Sequence, residues 1–175
     1  IQWKEMSDEL MVELVSRALM DPGAPRPSIE ALLHAFIPLS DVDHSHADAI
    51  LSLTNTIRGR KIAGEVFGSE LLWIPYVKPG VALAKHVARA YQRNGTAKGA
   101  ILEKHGILTW GRSSEESYAR MIRFVSMAER YINRKAHGRK PFGKPTVRSL
   151  TAKARERWLA RFLPVIRQGT SRLKP

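Results

Sequence analysis

The stretch Gly99-Ala100-Ile101-Leu102-Glu103-Lys104-His105-Gly106-Ile107-Leu108-Thr109-Trp110 decides how this chain folds. Gly99 to Lys104 reads as a strand with Ala100-Ile101-Leu102 as its apolar run. His105-Gly106 turns the chain into a second short strand, Ile107 to Trp110. The spacing is that of a hairpin, and it places His105 at a strand end in a sharp turn. Side chains in such turns are presented to clefts.

Working outward from this hairpin gives a mixed pattern. Ser113-Ser114-Glu115-Glu116 is a capping box that opens the longest helix, to about Ala136, where His137-Gly138 ends it. Its expected core face is Tyr118, Met121, Ile122, Val125, Ala128 and Ile132. On the other side, Val81 to Gln92 reads as an amphipathic helix closed by Asn94-Gly95, with a left-handed residue expected there. Lys61 to Val66 and Leu71 to Val77 are strand candidates, and Arg58-Gly59-Arg60 reads as loop. Ala47 to Leu53 reads as the start of a helix. Ser7 caps a first helix to about Met20, and the prolines of 21–27 stop it. Ser28 caps a second, Ile29 to about Phe36, on which Glu30 and His34 share a face. Residues 138–148 read as loop, and Ser149 to about Leu163 as a last basic helix. Helices mixed with short, hairpin-spaced strands predict an α/β domain with three α/β/α layers and a mostly antiparallel central sheet. The long βαβ units with Gly-rich turns of a dinucleotide fold are absent.

A length of 175 residues, 43% hydrophobic and 26% charged, is enough to bury a sizeable core in one domain. No run of about 18 apolar residues predicts a transmembrane helix. The chain lacks cysteine, which rules out disulfides and thiolate metal sites and suits a reducing compartment such as the cytoplasm. Both ends read as cut from something longer. The net charge of +13 is uneven: residues 1–111 hold 12 basic and 12 acidic side chains, and residues 112–175 hold 17 and 4. The basic tail has no interleaved aromatic or Gly-rich pattern. It therefore reads as a solvated face that meets an acidic neighbour rather than as a nucleic-acid site.

Asp43-His44-Ser45-His46 carries the chemistry. In an extended backbone His44 and His46 point the same way; in a helix they would lie roughly 200° apart. With His105 they complete a three-imidazole set, which leaves a fourth position on a tetrahedral ion for water or substrate. His86 reads as surface, His137 as a cap, and His34 as a core or supporting residue beside Glu30.

Three ordered motifs, Pro27-Ser28-Ile29-Glu30, His44-Ser45-His46-Ala47 and Glu103-Lys104-His105-Gly106-Ile107, resemble the class II aldolase/adducin family over roughly residues 25–135. Ile74-Pro75-Tyr76 and Pro79-Gly80 add to the likeness. Pro22 to Ser28 and Leu32-Leu33-His34-Ala35-Phe36 look most like the aldolase half of bacterial proteins that join a rhamnulose-phosphate aldolase-like domain to a short-chain dehydrogenase domain. The resemblance implies residues 1–137 as an aldolase-like domain lacking its N-terminal part, with 138–175 leading to a further domain. It implies zinc, or another divalent metal, on His44, His46 and His105, with Glu30 as general acid or base. The implied reaction is retro-aldol cleavage of a ketose 1-phosphate to dihydroxyacetone phosphate and an aldehyde, with Lewis-acid stabilisation of the enediolate. Epimerase members share this chemistry, and adducin-like members are binding modules. The implied partners are a sugar phosphate and further copies of the chain, with no membrane and no nucleic acid. The family's phosphate-binding loops have no match before Pro27, and Tyr76 stands nearest to its catalytic tyrosine.

Overall fold

Strand order β1-β4-β3-β2 organises the chain. The structure, a computed structural model, describes residues 6–139 and 148–171. The elements are α1 (Asp8–Arg17), α2 (Ala31–Ala35), β1 (Asp41–Ser45), α3 (Asp48–Thr54), α4 (Gly59–Phe67), β2 (Leu71–Ile74), α5 (Val81–Arg93), β3 (Gly99–Leu102), β4 (Gly106–Gly111), α6 (Ser114–Ala136) and α7 (Ala152–Ser171). The chain divides into two compact units, Ile1–His137 and Gly138–Pro175.

The β3–β4 hairpin is antiparallel, with Leu102 opposite Gly106. β1 lies antiparallel on the far side of β4, with Ser45 opposite Ile107. β2 runs parallel to β3 and reaches it through α5. The sheet is thus mostly antiparallel, as its sequence pattern predicts. Alternation along the strands builds two apolar layers. Ala100, Leu102, Leu108 and Trp110 face one cluster with Met11 of α1, Leu33 of α2 and Val87 of α5. Ile101 and Ile107 face the other, with Ile50 of α3, Phe67 of α4 and Phe124 of α6. Trp110 is buried, and its indole N–H donates to the Ala97 carbonyl at 2.8 Å.

Several local expectations are corrected. Lys61 to Val66 is helix, not strand, and Gly59-Arg60 begins it rather than forming loop. Ile62, Ala63, Val66 and Phe67 recur at helical spacing, and Phe67 meets Phe124 edge to face. Gly59 lies so close to the end of α3 that a Cβ there would stand 2.3 Å from the Thr54 carbonyl oxygen. The inner face of α6 is Ser117, Met121, Phe124 and Ala128, while Tyr118 and Ile122 are exposed. The Thr109 hydroxyl donates to the Ser117 carbonyl, and the Ser117 hydroxyl returns a bond to Thr109, which sets the rotation of the helix. A serine on the core face hides that stripe from an apolar count. Asn94 closes α5 at φ −147°, without a left-handed residue. α1 stops at Arg17, and β2 at Ile74 before Pro75. In the second unit α7 starts after Thr151 and runs past Leu163 with Pro164 inside it. Of the loop expected over 138–148, positions 140–147 lie outside the described residues. No helix among the described residues is long and apolar enough to cross a membrane.

Glu70, just before β2, ties three elements together. Its carbonyl accepts from the Lys98 amide, and its carboxylate pairs with Lys98 and Arg123. Arg123 chiefly, then Lys98, holds its carboxyl at about 2, well below the ordinary 4.5. A depressed folded-state value means that the stabilisation is complete above the unfolded value and is lost as pH falls through the folded one. Glu70→Gln should therefore flatten the loss of stability between about pH 4.5 and 2. At neutral pH it should cost no more than about 1 kcal/mol, because all three side chains are partly exposed. Thermal melts of both proteins across that pH range check this.

Candidate metal centre

His44, His46, His105 and Glu30 meet at one end of the sheet, with one ligand atom from each within 4.8 Å of all the others. Three loops and a strand end bring them there. His44 is near the end of β1 and His46 is just past it, so extended backbone carries both rings to one side. Their Nε2 atoms are 3.0 Å apart. His105 comes from the turn between β3 and β4, closed by its own N–H donating to the Leu102 carbonyl at 3.0 Å. Lys104 in that turn has φ +58°, a left-handed conformation for a residue with a Cβ.

Glu30 does not lie inside a helix that starts at Ile29, as expected. The Ser28 hydroxyl accepts from the Glu30 amide at 3.1 Å in a turn, and Glu30 is the N-cap of the short α2. This frees its side chain to reach His105 Nε2 at 2.6 Å and His44 Nε2 at 3.7 Å. Its expected neighbour His34 is exposed. His86 is also exposed, and His137 is the left-handed cap of α6. Tyr76 is 57% exposed, and its ring lies near the Lys104 ammonium.

The donor set fits a divalent ion. His44 Nδ1 lies 3.0 Å from the Ile107 carbonyl and donates to it, so the lone pair of a neutral ring sits on Nε2, facing the cluster. Burial chiefly holds the His44 imidazole below its ordinary value, and the like charges of His105 and His46 add to the lowering. The Ile107 bond and Glu30 pull it the other way. Imidazole nitrogens around a tetrahedral ion stand roughly 3.3 Å apart, given bonds of about 2.0 Å. The convergence here is of that size. His105 Nδ1 is buried without a hydrogen-bond partner among the described residues. Glu30, His44 and His105 are largely covered while His46 is exposed, so the cluster opens to solvent on the His46 side.

Gly106 sets this spacing, and its role is not visible in the motif alone. A Cβ on it would lie 2.3 Å from the Ser45 carbonyl oxygen and 3.0 Å from His46 Cδ2. The close approach of β1 to β4 beside the histidines therefore depends on a bare α-carbon.

Comparison with known proteins agrees with this geometry. The family profile described as Class II Aldolase and Adducin N-terminal domain matches residues 1–132, a wider span than the motifs alone cover. The chain is 41% identical over 174 residues to the Bacillus subtilis (strain 168) protein named uncharacterized oxidoreductase YuxG; that match takes in 99% of this chain and 25% of the relative's length. The N-terminal class II aldolase domain of a conserved Thermoplasma acidophilum protein is 41% identical with a TM-score of 0.67, over 75% of this chain and 60% of that one. A sugar-phosphate aldolase from Thermotoga maritima shares the fold at 20% identity and a TM-score of 0.58, over 69% of this chain and 60% of that one. The chain belongs to the class II aldolase and adducin N-terminal domain family.

Proposed function

We propose that this chain is the aldolase part of a metal-dependent carbon–carbon lyase. It cleaves a ketose 1-phosphate of the rhamnulose 1-phosphate kind into dihydroxyacetone phosphate and an aldehyde. The observation that carries this reading is the convergence of three imidazoles and one carboxylate within 4.8 Å. His44, His46 and His105 would hold the ion, with zinc the best match to three nitrogen donors. A bound divalent ion supplies Lewis-acid stabilisation of the negative charge left on the ketone oxygen as the C3–C4 bond breaks.

The protein's own groups do the rest. The Ile107 carbonyl fixes the His44 ring, and the β3–β4 turn fixes His105. Glu30 reaches the same point as the imidazoles and stays within one proton transfer of a substrate bound there. It delivers a proton to C3 as dihydroxyacetone phosphate forms, while the C4 hydroxyl loses its proton and becomes the aldehyde. Glu30→Gln keeps the shape and loses the proton carrier. It should retain metal and slow cleavage about 10²–10⁴-fold. Aldehyde release from a panel of ketose 1-phosphates, measured beside metal content, checks this. Unchanged turnover would remove Glu30 from the chemistry, and epimer formation without aldehyde would replace the lyase reading.

The family's subunit-contact sites favour a homo-oligomer. The chain spans 25% of the length of a relative named as an oxidoreductase. That supports a dehydrogenase domain fused to the aldolase part in the whole protein.

A further inference from the structure

Lys104 occupies a backbone position that suits glycine. Its φ of +58° places a Cβ where only Gly, Asn or Asp sits at ease. A residue held in such a conformation beside a reactive cluster points to a task for its side chain. Among the described residues the Lys104 ammonium has no carboxylate partner, whereas Arg17, Lys98, Arg120 and Arg123 are each paired with a glutamate. Its neighbour is the Tyr76 ring, with 5.9 Å from Nζ to the centroid. Glu103 is the nearest acid along the chain, and it accepts from the Tyr76 amide at 2.9 Å. That bond clasps the end of β2 to the turn and holds Tyr76 beside Lys104. Tyr76 is exposed, and its hydroxyl has no hydrogen-bond partner among the described residues. An unpaired ammonium and a phenol O–H thus stand together one residue from His105.

We propose that Lys104 and Tyr76 form an anion subsite at the rim of the His/Glu cluster, which takes the phosphoryl group of the substrate. This rests on the sugar-phosphate reading above and names the group that reads the phosphate. A phosphoryl group offers three strong acceptor oxygens and more than one negative charge, which suits an ammonium and a hydroxyl held side by side.

Lys104→Gly separates binding from structure, because glycine relaxes the backbone while it removes the charge. In the metal-loaded protein the preference for a ketose 1-phosphate over the unphosphorylated ketose, as a ratio of kcat/KM, should fall about 10–100-fold. The melting temperature should hold or rise, and Lys104→Arg should restore most of the preference. Inorganic phosphate titrated into the ¹⁵N-labelled chain should shift the Lys104 and Tyr76 amides, and its affinity should fall at least about tenfold in Lys104→Gly. That titration does not depend on turnover. Phosphate shifts at the turn without any cleavage would support the subsite and count against the aldolase reading. Cleavage with an unchanged preference in Lys104→Gly, or equal phosphate affinity in the two proteins, would overturn the subsite.

Discussion

His44→Ala combined with His46→Ala is expected to strip the chain of bound metal and to lower aldol cleavage by about 10⁴-fold or more. The two rings are half of the converging donors, and their Nε2 atoms are 3.0 Å apart. Without them His105 and Glu30 supply two donors, too few to close a tetrahedral site. The fold should survive. The bond lost to the protein itself is the one from His44 Nδ1 to Ile107, and the β1–β4 ladder remains. Melts of the metal-free variant and metal-free wild type should agree within about 5 °C, while metal analysis and turnover separate them completely. A variant that keeps stoichiometric metal would place the ion elsewhere.

Gly106→Ala is expected to damage both fold and centre. The new methyl would meet the Ser45 carbonyl oxygen at 2.3 Å and His46 Cδ2 at 3.0 Å. The first contact is backbone and cannot rotate away. Relief requires β1 to move off β4 at the end of the ladder where Ser45 faces Ile107. Overpacking of this kind costs about 3 kcal/mol, or about 10 °C in Tm. The displaced strand carries His44 and His46, so metal affinity should fall together with stability. Melting curves with and without added zinc check both effects. An alanine variant with wild-type Tm and metal affinity would show that the close approach is not needed.

The hairpin from Gly99 to Gly111 was legible because two dense apolar runs flank a glycine turn, and both runs are buried in the fold. The convergence of His44 and His46 was legible because extended backbone permits only one outcome for residues two apart. α4 was not. Ile62, Gly64 and Val66 alternate as in a strand, while Ile62, Ala63, Val66 and Phe67 repeat as in a helix. The choice is made by Phe67 against Phe124, a contact between residues far apart in the chain. The face of α6 was hidden by Ser117, whose hydroxyl is satisfied by Thr109 and so tolerates burial. Glu30 was placed on a helix face with His34, but the Ser28 turn delays that helix and turns the carboxylate toward His105. The left-handed Lys104 had no local signal, because lysine does not ordinarily mark that conformation.

The central claim is that Glu30, His44, His46 and His105 form a metal centre. It is tested most directly by elemental analysis of the wild-type chain purified without chelators. About one divalent ion per chain, most of it zinc, is the predicted result. Protein that is fully folded and free of metal after mild purification, and that takes up none from added zinc, would contradict it.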